Sequence, residues 1–496
     1  MDTHEQRLAD LPKAAVRAED LRNVLRRHWL IVILLAAGIV LRVLAWFAYQ
    51  PALLYFDSFR YLENIGEYSP ESLHPIGYEL VILTPILAVG GLELVTAVQH
   101  LAGVVAAGAL YVLALRHGAP SWLAAIAAAP LLLDAYQIQI EQMIMSDTWQ
   151  QVLLVAALWV LLGRGAPSPR RAALGGVLLG VAVMFRLVAL PLVVPAVCYL
   201  VIAGGAWRHR YGWRTIAARS VALVAGFAVV VGGYAGYFRS ETGQWGLSLT
   251  TGNVLYGRTA VVADCDQVRL DPTLRLACPE EPLGQRIGVD YYAHRAGDQE
   301  WVARFPPGTD ITTVQKAFGW AVLRAQPVDV AGAVVQDFLK GFRPTRTDSP
   351  GDVGVVRWYF QRGYQYYNHP EYSTRISVEF SGKEPSAVPG LASVLRGYQL
   401  NGGYTPGTLL GVFGLVALLA GLGLGRARSS GIRSAALLAA GMAVTILLAS
   451  AAFEFSWRYQ LPGLVLLPFA GVIGITALSG RTRRPRSAGE PRTDQT

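Results

Sequence analysis

The sequence predicts an all-α polytopic membrane protein. It has about ten transmembrane helices, helices lying along the outer membrane face, and a mixed extracytoplasmic loop domain. Three observations lead there. Of 496 residues, 53% are hydrophobic and only 16% are charged, less charge than a soluble domain carries. Mean hydropathy is +0.36. Apolar runs near the roughly 20-residue length that crosses a bilayer recur along the chain.

Ten such runs can be read: 29–49, 92–115, 120–138, 148–164, 171–186, 187–205, 218–238, 406–425, 433–452 and 460–479. Arginine orients them. Arg22, Arg26 and Arg27 precede the first run, and Arg116 follows the second. Arg164, Arg170 and Arg171 separate the fourth and fifth, and Arg208, Arg210, Arg214 and Arg219 the sixth and seventh. Arg426, Arg428 and Arg433 separate the eighth and ninth, and Arg481, Arg483, Arg484 and Arg486 follow the tenth. With ten spans all of these share one side, so both termini are expected in the cytoplasm. The net charge of +9 is thereby accounted for as topology signal, and no nucleic-acid partner is expected. The polar first 28 residues and the long run after them do not read as a cleavable signal peptide. The stretch 18–29 suits a basic amphipathic helix on the membrane surface.

The expected organisation is a basic tail (1–28), a transmembrane module (29–238) with an external segment 50–91, a large external loop (239–405), three further spans (406–480) and a basic tail (481–496). In the loop, "DITTVQKAFGWAVLRAQ" and "VDVAGAVVQDFLKGF" have helical periodicity, and "QWGLSLTTGNVLYG" reads as extended or turn structure. Cys265 and Cys278 both lie in this loop, where an oxidising compartment would let them pair; two free thiols are the alternative. Cys198 reads as a small packing residue. The segment 50–91 reads as two helices along the outer membrane face, because 77–91 is short for a span.

Ionisable residues on the outer side carry the chemistry. Asp57 follows the first run, and Glu141 and Asp147 lie in the next external turn. Asp147 has two readings, a helix cap or a functional carboxylate. Arg42, Arg186 and Arg458 are not explained by topology. Each either snorkels to headgroups or serves a site at membrane depth. Arginine is a good bidentate partner for phosphate, and a carboxylate beside it can act as general base on a hydroxyl. Together they describe group transfer from a lipid phosphate. No P-loop, HExxH, GxSxG or paired CxxC is present, which argues against a nucleotide-driven pump or a metalloprotease.

Four stretches carry a family resemblance: "LRVLAWFAYQPALLYFDSFRYLE", "HPIGYELVILTPILAVGG" with its Pro-x-x-Tyr, "IMSDTWQ", and "GVLLGVAVMFRLVALPLV" together with the late "WRYQLP". The chain resembles the phospholipid-carrier-dependent branch of the GT-C membrane glycosyltransferases, which includes protein O-mannosyltransferases and lipid A aminoarabinose transferases. The resemblance covers roughly 29–260 and, more weakly, 450–475. It implies Asp57 as catalytic base and Asp147 as the second catalytic acidic residue. It implies a substrate site drawn from Arg60, Tyr61, His74, Tyr78, Glu141, Arg186, Arg458 and Tyr459, with Arg186 and Arg458 on the carrier phosphate. Ser58 stands where the family often has a second acidic residue, which speaks against a metal site built from adjacent carboxylates; no cofactor is expected to be required, with a divalent metal as the open alternative. The implied partners are a polyprenyl-phosphate-linked sugar, an envelope glycan, lipid or protein acceptor, and membrane lipid. The implied location is a bacterial plasma membrane with the site on its outer face. Trp245, Tyr256, Tyr364, Tyr366 and Tyr367 either stack on sugars or pack a core. A transporter or flippase of a lipid-linked or anionic substrate, and a non-catalytic scaffold, are the competing readings.

Overall fold

The computed structural model describes residues 5–70, 74–163, 165–203 and 212–480, with side chains of the first helix described from residue 23. Arg164, Arg208, Arg210 and the arginines of the tail 481–496 lie outside the described residues, as do residues 1–4 and 71–73. Helices of eight residues or more are numbered in chain order.

Among the described residues each apolar run falls largely on helix, the sixth beginning as a 3-10 turn (Leu187–Leu192). The first belongs to α1 (Glu5–Ala48), which is unbroken, so the stretch 18–29 continues into the run instead of forming a separate surface helix. After α2 (Phe56–Glu63) come α3 (Leu92–Arg116), α4 (Ser121–Leu133), α5 (Ala135–Gln142), α6 (Asp147–Leu161), α7 (Pro169–Phe185), α8 (Val193–Val201) and α9 (Trp213–Thr242). The C-terminal runs are α15 (Gly407–Gly421), α16 (Arg433–Phe453) and α17 (Leu461–Ser479). Five helical stretches are long and apolar enough to cross a membrane, or six if α4 and α5 count as one, among the described residues. The third run differs from expectation. Extended backbone at Asp134 ends α4, the Asp134 side chain accepts from the Tyr136 amide to start α5, and the two helices meet at 49°.

Helix ends follow local chemistry. Ser168 accepts from the Arg171 amide ahead of Pro169 at the start of α7, and Gly243 takes a left-handed conformation (φ 74°) at the end of α9. That is where a residue without Cβ costs least. Helices α7 and α9 pack backbone to backbone. A Cβ on Gly176 would collide with the Leu223 carbonyl, and one on Gly226 with that of Ala173. Small residues permit this approach in membrane helices, where dispersion and not water expulsion drives packing. Helix α17 is the most enclosed and touches α4, α15 and α16. In contrast α1 leaves Trp29, Ile33, Val40 and Phe47 exposed, as a lipid-facing helix would.

The loop 239–405 is not one body. Residues 256–330 hold a core of their own, built from Tyr256, Tyr292, Trp301, Phe318 and Val322. It includes α10 (Thr251–Ala260) where turn structure was expected, α11 (Ile311–Ala325) and the start of α12 (Pro327–Lys340). Cys265 and Cys278 are disulfide-bonded beside it, with Cα atoms 6.3 Å apart. Residues 355–395 instead join the main core through Val355, Trp358, Phe360, Ile376 and Leu395, with α13 (Pro370–Ser381) and α14 (Pro389–Leu400). A two-residue ladder pairs β1 (Tyr49–Gln50) with β2 (Ser386–Ala387), Tyr49 opposite Ala387 and Gln50 opposite Ser386. Cys198, expected to pack, is exposed on α8.

One buried ion pair fastens the chain on either side of this second part to the helix bundle. Arg346 donates to both oxygens of Asp134, at 3.0 and 2.8 Å. The Thr405 amide donates to the same carboxylate at 2.8 Å, and Tyr136 lies 4.0 Å beneath the guanidinium. Removing one partner of such a pair strands a buried charge. Asp134→Asn is therefore expected to cost about 3–5 kcal/mol, read as a fall in unfolding temperature in detergent. Lys383→Ala, which removes the half-exposed Lys383–Glu93 pair, is expected to cost no more than about 1 kcal/mol.

Candidate active site

Three distant chain segments meet at one guanidinium. Asp57 lies in the first turn of α2 and Asp147 opens α6, both where the helix dipole favours a carboxylate. Backbone pairing aligns the two segments. The Leu53 amide donates to the Gln142 carbonyl at 3.0 Å and the Ile144 amide to the Leu53 carbonyl at 3.2 Å. Ser58 adds to this: its hydroxyl accepts from the Tyr55 amide and donates to the Ile144 carbonyl, both at 2.9 Å. The third segment is the turn Trp457–Gln460 at the start of α17. It is anchored by Trp457 donating to the Thr347 carbonyl at 3.0 Å.

Arg458 lies between the two aspartates. Its Nη1 donates to Asp57 Oδ2 at 2.6 Å. Its Nε reaches Asp147 Oδ1 and Oδ2 at 3.0 and 3.1 Å, and its Nη2 reaches Oδ2 at 2.8 Å. Arg186 Nη1 is 2.8 Å from Asp147 Oδ1. Asp147 thus serves two arginines, and no cap hydrogen bond from a side chain is made at the start of α6. Asp57 keeps its Oδ1 toward His74 Nε2 at 3.4 Å and Arg60 Nη1 at 3.7 Å. Arg60 is 42% exposed, so this side of Asp57 opens outward. Burial pushes the Asp57 carboxyl up, but the Arg458 charge and His74 hold it well below the usual carboxylate range.

Aromatic rings shape the surroundings. Arg186 stands 5.2 Å over the Tyr459 ring, and Arg458 is within about 6 Å of Tyr55, Trp358 and Tyr459, a distance at which cation–π attraction acts. Tyr61 is buried, shares a 2.9 Å hydrogen bond with Ser146 and packs on His74 and Tyr78. Tyr78 donates to Gln99 at 2.8 Å. At Phe185, the residue before Arg186, lies an apolar groove of about 230 Å³ lined by Ile76, Gly77, Leu80, Val81, Val181, Met184, Phe185, Tyr234 and Tyr237.

Of the residues expected at the site, Asp57, Asp147, Arg60, His74, Arg186, Arg458 and Tyr459 come together, with Tyr61 and Tyr78 directly behind. Glu141 does not join them. It is fully buried, with Arg42 Nη2 and Gln137 on Oε1 at 2.8 and 3.0 Å, and His100 on Oε2 at 3.0 Å. Arg42 also donates to the carbonyls of Leu131 and Leu132. It therefore holds the bend between α4 and α5 and does not snorkel. Trp245 is 68% exposed, whereas Tyr256 is buried in the loop core. Tyr364 donates to the Ala52 carbonyl at 2.9 Å, and Tyr367 packs on Tyr55.

Sequence reading missed Trp358, Arg357 and Glu454. Arg357 donates to the Tyr55 hydroxyl at 3.3 Å. Glu454 accepts from the Tyr459 hydroxyl at 3.0 Å, and burial, reinforced by the Asp290 charge, pushes it up to about 8. Its position in "AAFEFSWRYQ", at the end of an apolar run, was the available signal. Arg357 and Trp358 sit in a polar loop with no such signal.

No family model and no curated protein matches the sequence. Among solved structures the chain is similar to the archaeal oligosaccharyltransferase AglB from Archaeoglobus fulgidus in complex with an inhibitory peptide and a dolichol-phosphate (TM-score 0.46, 13% identity, 92% of this chain, 50% of that one). It is also similar to an Archaeoglobus fulgidus oligosaccharyltransferase in complex with Zn and sulfate (0.38, 13%, 94% and 54%). A third is ArnT from Cupriavidus metallidurans bound to undecaprenyl phosphate (0.30, 16%, 90% and 78%). The chain spans about half the length of the two oligosaccharyltransferase chains.

The Asp57 environment makes a pH prediction. A carboxyl held below its ordinary value of 3.8 stabilises the fold fully above that value and loses the contribution as pH falls through its folded pKa. The stability difference between wild type and Asp57→Asn is expected to be constant above about pH 5 and to shrink below about pH 4. Thermal unfolding in detergent across this range measures it. A difference that grows on acidification would contradict an ion-paired carboxylate.

Proposed function

We propose that the chain is a multi-pass membrane glycosyltransferase of the GT-C kind. It moves a sugar from a polyprenyl-phosphate carrier to an acceptor hydroxyl on the extracytoplasmic face of a bacterial plasma membrane. The observation that carries this reading is a buried, ionised Asp57 with one oxygen facing outward, next to arginines and an apolar groove. A base, an anion-binding surface and a lipid-tail channel are what carrier-dependent transfer requires. The ten-span topology with both termini cytoplasmic, and the division at residues 28, 238, 405 and 480, belong to the same reading.

In this mechanism the carrier tail lies in the groove along Gly77, Met184 and Phe185. The phosphate meets Arg186, whose guanidinium makes one ion pair and keeps donors in reserve, with Arg60 and His74 on the other side of Asp57. Arg458 is committed to the two carboxylates, so it positions Asp57 instead of gripping the phosphate. Asp57 takes the proton from the acceptor hydroxyl. The acceptor oxygen bonds to the anomeric carbon as the sugar–phosphate bond breaks, and polyprenyl phosphate leaves with its charge stabilised by Arg186. The transition state is oxocarbenium-like, as in glycoside hydrolysis. A single base and no covalent intermediate give inversion.

The test is reconstitution in liposomes with radiolabelled polyprenyl-phosphate sugars and envelope extract as acceptor. Wild type is expected to release free polyprenyl phosphate. Asp57→Asn is expected to lose about 10²–10⁴-fold in rate while still binding the carrier. Arg186→Ala is expected to weaken carrier binding about 10–100-fold, the worth of a charge-assisted hydrogen bond. Movement of intact carrier between leaflets, equal in wild type and Asp57→Asn, would replace this reading with a flippase.

A further inference from the structure

Two carboxylates on one guanidinium, with an imidazole beside Asp57, are donor types that divalent cations take, so the question is whether the residues fit one. They do not. A divalent cation needs carboxylate oxygens at roughly 2.0–2.6 Å and at least four to six ligands in all. Arg458 and Arg186 nitrogens already lie 2.8–3.1 Å from both oxygens of Asp147. Arg458 also lies 2.6 Å from Asp57 Oδ2. A cation bridging the aspartates would share those oxygens with a guanidinium that is 4% exposed and has nowhere to go, and like charges at that spacing repel strongly in a buried site. Asp57 Oδ1 faces the His74 imidazole and Arg60 at 3.4 and 3.7 Å, and one carboxylate oxygen does not make a divalent site. Among the described residues no three His, Cys, Asp or Glu side chains converge for a metal.

We propose that Arg458 is a built-in cation that occupies the bridging position between Asp57 and Asp147, so that the site binds its anionic substrate without a metal. Charge balance supports this. Two carboxylates face three guanidiniums, those of Arg458, Arg186 and Arg60. One monoanionic phosphodiester then brings the cluster to neutrality. The guanidinium is also fixed in direction, since its planar fork matches carboxylates in a way a spherical ion does not. Asp57 is thereby aimed, with Oδ2 held by Arg458 and Oδ1 turned toward His74 and Arg60. The inference takes this cluster as the active site, as proposed above, but its test reads metal binding and not turnover.

The experiment uses the purified full chain in detergent, titrated with Mn²⁺ and followed by electron paramagnetic resonance of the free ion. Wild type and Asp57→Asn are expected to bind Mn²⁺ equally, with no site that depends on Asp57. Arg458→Met is expected to gain one bound Mn²⁺ per chain, lost again when Asp147→Asn is added. Binding by wild type that disappears in Asp57→Asn would overturn the proposal, as would a folded Arg458→Met that gains nothing. If Arg458→Met does not fold, the comparison of wild type with Asp57→Asn decides alone. Any of these results leaves the transferase assay free to succeed or fail separately.

Discussion

The bridge from Arg458 to Asp57 and Asp147 is the constraint on which the rest of the structure depends. Its partners lie 401 and 311 residues away in sequence. All three groups are buried, and a charge taken out of water must be paired or the chain will not keep it there. Pairing therefore forces the start of α2, the start of α6 and the turn before α17 to one point. The turn is placed from below by Gln151 donating to the Leu461 carbonyl at 2.9 Å, and from above by Trp358 donating to Ser456 at 3.1 Å. Each of these bonds sets the position of Arg458 before it sets anything else.

A second polar network carries the load one layer deeper. Gln99 donates to the Glu141 and Met143 carbonyls at 2.9 and 2.7 Å, and Gln142 to the Tyr49 carbonyl at 2.7 Å. His100 spans Glu141 and Gln142 at 3.0 and 2.8 Å. Because the Gln142 amide nitrogen is committed to Tyr49, its oxygen must accept, so His100 Nε2 carries a proton. The non-helical stretch Met143–Ser146, which presents Asp147, thus has backbone groups met by side chains from α3 and α2, Gln99 on the Met143 carbonyl and Ser58 on the Ile144 carbonyl. Non-helical backbone at membrane depth is tolerated only where the protein itself satisfies it. Glu141 and Arg42 belong to this supporting layer, which explains why residue types that read as a site turn out to hold one.

What could be read in the sequence divides along the same line. The helices were legible because apolar run length and loop arginines report on the bilayer, which acts locally on the chain. Asp57 and Arg458 were legible because a charge beside aromatic residues at the end of an apolar run has few reasons to be there. Partnerships were not legible. Nothing near Glu141 says that Arg42 is its counter-ion, and nothing near Arg346 says that Asp134 is. The break at Asp134 was hidden because its cause, an extended residue stabilised by Arg346 and Thr405, comes from another part of the chain. The role of Ser58 was hidden likewise: its hydroxyl matters only because Ile144 lies opposite.

The division of the large loop follows from how each part finds its core. Residues 256–330 bury Tyr256, Trp301 and Phe318 against one another, so their packing owes little to the bundle. They touch it through particular contacts, such as Arg258 donating to the Ala451 carbonyl of α16 at 2.7 Å. Residues 355–395 have no such core and fold only on the helices. Gln399 holds that segment in shape by accepting from the Phe360 amide and donating to the Trp358 carbonyl, both at 2.8 Å. Trp358 and Arg357 are therefore walls of the site, placed by the same packing that places Arg458. The lobe at 256–330 brings charge near the site through Asp290, which pairs with His294 at 3.3 Å and acts on Glu454 and Arg357.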